Sequence, residues 1–342
     1  MRRMERAMSF KSLSLNELCD RLCENKTTLI VYHVRSDADA VGSAFALKEL
    51  FRLMGIQAIC VCSDEVPERL RFLSEDTQGS VVVEEGMDFG HERVISVDSA
   101  SPSQLGEMFD RLRKDIDIMI DHHGVGTVYA DNYIDAEASA TGEIIFTIAK
   151  KLLADGKIPL ITPRVINCVY AAISSDTGGF RFANVTPKTH RIAAELLELG
   201  ADAADVNHRL FCSKTAKQMA AEGEAARRLR LHNGGRIASV TIPYSSIQAL
   251  GLCDENLETV IDVPRSIGGV EVAFSVRQSE NKPFFRVSMR SSVDIDVAAI
   301  CRKFGGGGHV RAAGCGLEAG DVTEAELIIV NAINKYMEVN NK

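Results

Sequence analysis

Hydrophobic positions change their period along the chain, and the changes mark out its organisation. In the first half, short apolar runs rich in β-branched residues stand at 27–34 (TTLIVYHV), 57–63 (QAICVCS), 80–84 (SVVVE), 93–98 (RVISVD) and 115–121 (DIDIMID). Runs of this length and composition predict buried strands. Between the first two, DAVGSAFALKELFRLMG places apolar residues at helical spacing, with Gly55 suited to a left-handed C-terminal stop. Two further helices are predicted at 139–154 and 163–173. Strands alternating with helices specify an α/β fold, a mostly parallel sheet flanked by helices.

The pattern then turns helical and more charged over 187–231, ending at the turn signal Asn233-Gly234-Gly235. This stretch reads as a helical connector. From Arg236 onward, RIASVTIP, GVEVAFSVRQ and FFRVSMRS predict strands, interleaved with helices at 256–266 and 296–304. The short SENKP link implies a hairpin, so the second sheet is expected to be mixed and the domain smaller.

Composition narrows the class. The chain has 342 residues, 46% hydrophobic and 25% charged, which suits two globular domains. A net charge of −8 disfavours a grip on long nucleic acid, which needs many basic contacts. The nine cysteines form no C-x-x-C pair, so a zinc knuckle is not indicated and a reducing compartment is. The basic N-terminus lacks the apolar core of a signal peptide, and no run is long enough to span a bilayer. A cytoplasmic location is expected, with no membrane partner.

Candidate chemistry lies where the predicted strands end. His33-x-x-x-Asp37-x-Asp39 follows the first strand, Asp98 closes the run at 93–98, and Asp121-His122-His123 closes the run at 115–121. Asp176 follows a predicted helix. Singly, each has an ordinary explanation: Asp39 as a helix N-cap, Asp37 and Asp176 as turn residues, Asp98 as a loop aspartate. Together they fall on one edge, because ligands of open α/β sheets bind beyond the carboxyl ends of the strands. Clustered carboxylates cannot all stay ionised without cations, so a binuclear divalent-metal site is expected.

This ordered set resembles the DHH phosphoesterases, and Gly305–Gly314 (GGGGHVRAAG) resembles the glycine-rich signature of their DHHA1 domain. The similarity spans nearly the whole chain and is nearest the stand-alone nanoRNase type. It implies a DHH catalytic domain over 1–186, the connector over 187–231 and a DHHA1 substrate-binding domain over 232–342. It implies one metal on His33, Asp37 and Asp98, and a second on Asp39, Asp98, His122 and Asp176, with Asp98 bridging. A shared carboxylate holds two ions about 3.5–4 Å apart. Oxygen ligands with two imidazoles and no thiolate favour Mn²⁺, with Mg²⁺ as a possible substitute.

The activity implied is hydrolysis, by a metal-activated water, of oligoribonucleotides of two to five residues to mononucleotides, and of adenosine 3′,5′-bisphosphate to AMP. His123 is implied to touch the scissile phosphate and Asp121 to orient the neighbouring metal-bound histidine, making Asp98, Asp121 and His123 the catalytic group. Arg181, Arg290, Gly306, Gly307, Gly308, His309 and Arg311 are the expected substrate contacts, and a homodimer is implied by resemblance alone. Ser36 stands where many relatives have proline, a difference expected to change only loop stiffness. Other activities weighed are an inorganic pyrophosphatase, a linear or cyclic dinucleotide phosphodiesterase, a single-strand DNA exonuclease and a non-enzymatic nucleotide-binding protein.

Overall fold

The computed structural model describes residues 10–74, 81–82, 89–106, 110, 112, 115–278, 280–293 and 295–340. In the first half, β1 (Thr28–Tyr32), β2 (Ala58–Cys62), β3 (Val81–Val82), β4 (Arg93–Val97), β5 (Ile116–Asp121) and β6 (Asp131–Ile134) form one sheet in the order β3-β2-β1-β4-β5-β6. Every pairing in it is parallel, with Thr28 opposite Ala58 on one side and Arg93 on the other. Five strands fall within the apolar runs of the sequence. The remainder of the run at 80–84 lies outside the described residues. β6 was not anticipated, because Asp-Asn-Tyr-Ile has neither an apolar run nor alternation. It is held instead by β5 and by Leu13 and Lys11 of the N-terminal segment.

The helices share a core with Ile30, Tyr32, Ile95, Val97, Ile118 and Ile120 on one face of the sheet, while Leu29, Val31, Val94 and Met119 on the other pack with Leu105, Leu112, Tyr129 and Ala130. α1 (Leu15–Leu22) opens on a Ser14–Glu17 capping box. α2 (Ala38–Leu53) is buried on nearly all sides, under the sheet and against α3 (Thr141–Ala154) and α4 (Pro163–Asp176). Small residues make that crowding possible. A Cβ on Gly42 would stand 2.5 Å from the Cys168 carbonyl oxygen, and one on Gly142 would stand 2.6 Å from the Ala172 Cβ. Both approaches need glycine. They bring the first turn of α2 against the first turn of α3, where the site is built.

α4 runs three residues past the helix end expected at 173, so Asp176 is its last residue and not part of a following turn. α5 (Pro187–Glu198) and α6 (Ala203–Asn207) pack Ile192, Leu196 and Val206 into the first core. Contacts divide the chain at Ser213/Lys214, inside the stretch expected as a connector. α7 (Ala216–Arg227) belongs to the second unit, with Ala221 and Ala225 in its core.

The second unit is built on β7 (Arg230–His232), β8 (Ile237–Ile242), β9 (Val272–Arg277), β10 (Phe284–Ser291), β11 (Gly307–His309) and β12 (Ala312–Glu318), ordered β11-β12-β10-β9-β8-β7. Only β8–β9 is parallel, so the sheet is mixed as expected. α8 (Tyr244–Ala249), α9 (Asp262–Arg265) and α10 (Val297–Arg302) link the strands. α11 (Val322–Asn340) closes the chain, packing Ala325, Ile329, Ile333 and Met337 against the sheet. That four-residue spacing is visible in the sequence. The glycine run leads into the hairpin β11–β12, with Gly307 opposite Gly314 and His309 opposite Ala312.

Candidate metal centre

β1, β4 and β5 are neighbours and parallel, so their carboxyl ends deliver His33, Asp98 and Asp121-His122-His123 to one edge. The start of α2 adds Asp37 and Asp39, and the end of α4 adds Asp176.

The helix cap falls on Asp37 and not on Asp39: its Oδ1 accepts the amides of Asp39 (3.0 Å) and Ala40 (3.1 Å). Asp39 is fully buried and reaches sideways to α3, whose N-terminus has no side-chain cap of its own. Its Oδ2 accepts the Thr141 amide (2.7 Å), and its Oδ1 accepts the Gly142 amide (2.9 Å) and the Ser43 hydroxyl (3.0 Å). A carboxylate at a helix N-terminus is favoured by the free amides and the helix dipole. Asp98 stands in the left-handed region (φ 53°), is 2% exposed, and accepts the Thr141 hydroxyl at 3.0 Å.

The two imidazoles are held alike. His33 Nδ1 lies 2.9 Å from the Val34 carbonyl oxygen, and His122 Nδ1 lies 3.2 Å from that of Ala138. A carbonyl only accepts, so Nδ1 carries the proton in each ring and Nε2 faces the carboxylates. His33 Nε2 is 3.7 Å from Asp37 Oδ1 and 3.6 Å from Asp98 Oδ2. His122 Nε2 is 3.3 Å from Asp176 Oδ2, 3.7 Å from Asp98 Oδ1 and 3.8 Å from Asp39 Oδ2. Most of these separations are too long for hydrogen bonds. They suit ligands of a common ion, since atoms about 2.1 Å from one metal stand roughly 3.0–3.6 Å apart.

Charge points the same way. Burial and the neighbouring Asp98 and Asp176 raise the Asp39 carboxyl well above the usual range. Burial also pushes Asp176 up to about 6, against the hydrogen bond from His122. Burial opposes a charge on His122, yet Asp176, Asp39 and Asp98 lift its imidazole to about 11. His33 is likewise raised by Asp37 and Asp98 against its burial. Asp37, despite burial, is held well below the carboxylate range by His33 and the α2 amides. Protons cling to a cluster that lacks positive charge, which is the demand a divalent cation meets. Three trios are close enough to hold an ion: His33–Asp37–Asp98, Asp39–His122–Asp176 and Asp98–His122–His123. The residues present therefore fit the metal pair.

Asp121 has a different partner from the one expected. His122 is oriented by the Ala138 carbonyl, while Asp121 Oδ1 lies 2.7 Å from His123 Nδ1 and accepts the amides of His122 (2.8 Å) and His123 (3.2 Å). The reason is backbone geometry, since Asp121 curls over the two amides that follow it. Burial opposes a charge on His123, and Asp121 outweighs it, so the imidazole is raised.

Sequence reading missed the polar contacts that position these ligands: Ser43, Thr141 and the Ala138 carbonyl. Only a hydroxyl at a helix start could have suggested Thr141. Of the expected substrate contacts, Arg181 lies five residues past Asp176, donates to the Gly178 carbonyl and sits 5.9 Å from the Phe211 ring. The others lie in the second unit. Arg290 is half-buried, and burial with the nearby Arg265 disfavours its charge. Gly306 permits a tight crossing, since a Cβ there would stand 2.2 Å from the Gly314 carbonyl oxygen. Gly307 and Gly308 lead to His309 in β11, and the Arg311 carbonyl accepts the Ser291 amide at 3.0 Å.

A parallel α/β sheet whose strand ends gather aspartate and histidine, followed by a mixed-sheet domain with a glycine-rich hairpin, defines a class of hydrolases. Residues 27–173 match the DHH family, N-terminal domain, and residues 242–338 match the DHHA1 domain, so the chain belongs to the DHH/DHHA1 phosphoesterases. The chain is similar to the bifunctional oligoribonuclease and PAP phosphatase NrnA of Thermus thermophilus, 29% identical over 310 residues, covering 90% of this chain and 89% of that protein. It is similar also to the NrnA of Bacillus subtilis, 26% identical over 316 residues, covering 89% and 93% respectively. Among solved structures, an exopolyphosphatase-related protein from Bacteroides fragilis shares the fold, with a TM-score of 0.87 at 20% identity over 96% of this chain and 97% of that one. Among the described residues no helix is long and apolar enough to cross a membrane.

Proposed function

We propose that this chain is a manganese-dependent phosphoesterase that hydrolyses short oligoribonucleotides to mononucleotides and adenosine 3′,5′-bisphosphate to AMP. The observation that carries this reading is the paired imidazole arrangement, with Nδ1 of His33 and of His122 on backbone carbonyls and Nε2 aimed at carboxylates on either side of Asp98. Metal-binding histidines are oriented in this way. One ion would be held by His33, Asp37 and Asp98, the other by Asp39, Asp98, His122 and Asp176. When bound, the pair supplies Lewis acidity at the phosphate and an activated water.

The chain's own groups do the rest. Asp39, fixed by two α3 amides and Ser43, keeps one geometry without waiting for a ligand. His123, held through Nδ1 by Asp121, would face a phosphate oxygen, where a protonated ring donates to developing charge. In the second unit, Arg290 and Arg311 would supply side-chain donors for phosphate, while the Gly306 amide is taken by the Cys301 carbonyl oxygen (3.0 Å); Arg181 is a proposed phosphate donor of the first unit. Two relatives named for oligoribonuclease and PAP phosphatase activity, each aligned over most of both chains, support this choice of substrates. The enzyme would work in the cytoplasm as a homodimer.

The test is parallel hydrolysis of an RNA dinucleotide, adenosine 3′,5′-bisphosphate, a cyclic dinucleotide and pyrophosphate, with Mn²⁺ and with chelator. Metal-dependent loss of the first two, abolished in Asp98→Ala and His122→Ala, is the expected result. Turnover of pyrophosphate or of the cyclic dinucleotide alone would replace the reading.

A further inference from the structure

We propose that Asn184 is a positioning residue for one of the two metal positions, tying the loop that orients His122 to the helix end that carries Asp176. The assignment rests on the two-metal reading above and goes beyond it, because Asn184 touches no ligand side chain.

His122 and Asp176 make the closest imidazole–carboxylate approach around His122, 3.3 Å, yet they come from the end of β5 and the end of α4. Nothing in the sheet itself sets that distance. The His122 ring is fixed by the Ala138 carbonyl, in the loop between β6 and α3. Asp176 closes α4, where the last carbonyls of a helix have no partner within the helix. Asn184 Nδ2 donates to the Ser139 carbonyl oxygen (3.0 Å) and to the Asp176 carbonyl oxygen (3.1 Å). A carboxamide nitrogen has two hydrogens, so one group can serve both acceptors at once. It links the residue next to the His122 orienter with the backbone of the partner ligand.

The same loop is braced a second time from the start of α5. Fully buried Glu143 accepts the Ser139 hydroxyl (2.6 Å) and the Thr189 hydroxyl (2.7 Å), and Lys188 Nζ lies 3.0 Å from Asp135 Oδ2 and 3.7 Å from Glu143 Oε2. That brace holds the loop to α5 and does not reach Asp176. Asn184 alone, among the described residues, donates from its side chain to both segments. It is exposed, so removing its carboxamide leaves the core intact. His33 and Asp37 depend on none of these contacts. Loss of Asn184 should therefore weaken one ion and spare the other.

The experiment is a Mn²⁺ titration of the full chain, followed by electron paramagnetic resonance of the free ion. The wild type is compared with Asn184→Ala and Asn184→Asp, and Asp176→Ala and His33→Ala identify which binding step belongs to which position. The expected result for Asn184→Ala is a loss of about tenfold in the step that Asp176→Ala abolishes. The step lost in His33→Ala and the apo melting temperature should not move. Asn184→Asp, which keeps the shape but loses the donor, should behave no better than Asn184→Ala. If Asn184→Ala takes up both ions as the wild type does, or loses both steps equally with a lower melting temperature, the assignment is overturned. A wild type that binds fewer than two ions overturns it together with the two-metal reading.

Discussion

His122 and His123 are adjacent in sequence and 4.6 Å apart between ring centroids, but their surroundings divide their roles. His122 offers Nε2 to three aspartates, whereas His123 spends Nδ1 on Asp121 and has Asp98 only at 3.9 Å. Substituting His123 by Ala should lower kcat on a dinucleotide by about a hundredfold or more and leave Mn²⁺ uptake unchanged. His122→Ala should lose an ion. Steady-state kinetics beside a metal titration separates the two, and equal loss of metal in both variants would refute the division. At this scale the sequence was partly misleading. Asp39 looked like the cap of α2 because it stands just before a helical run, but Asp37 takes that place and frees Asp39 to cap α3 from the side. Which of two nearby aspartates caps a helix depends on where the chain turns, and only the backbone shows that.

Among elements, the close contact of α2, α3 and α4 decides whether Asp39 reaches its amides. Gly142 is the narrow point, with the Ala172 Cβ 2.6 Å and the Val169 carbonyl oxygen 3.3 Å from where its own Cβ would stand. Gly142→Ala must push α3 away, and overpacking of this kind costs about 1–3 kcal/mol. The same displacement draws the Thr141 and Gly142 amides off Asp39, so activity should fall by more than the loss of folded protein explains. Urea melting with rates per folded molecule checks this, and a variant of full specific activity would contradict it. Most elements were legible because buried parallel strands are written as uninterrupted apolar runs. β6, β11 and β12 were not, since Asp131, Asn132 and a string of small residues carry no strand pattern. Their pairing is supplied by neighbours already in place.

The molecule as a whole consists of two units, each with its own core. α7, read from its charge as connector, is fastened in the second unit by Glu224, which accepts from Arg227 (2.9 Å), Arg228 and the Ser246 hydroxyl of α8 (2.6 Å). The Arg227 hydrogen bond, with help from Ser246 and Arg228 and against partial burial, holds its carboxyl down to about 2 from the ordinary 4.5. A carboxyl depressed in the folded state stabilises fully above its unfolded pKa and loses that contribution as pH falls toward the folded value. Glu224→Gln should therefore melt earlier than the wild type at pH 7, and the gap should close between about pH 4.5 and 2. A gap that stays constant through that window would show the carboxylate's charge to be irrelevant.

The sequence by itself determined the fold class, the two-part organisation and the aspartates and histidines that gather at one edge of the first sheet. Hydrophobic periodicity is local, and all of these residues but Asp176, which ends α4, sit at a strand end or helix start that the same periodicity marks. Tertiary structure decided the division of labour. Asp121 serves His123, Ala138 orients His122, and Asn184 joins Ser139 to Asp176, because hydrogen bonds between segments dozens of residues apart depend on distances the chain sets only when folded.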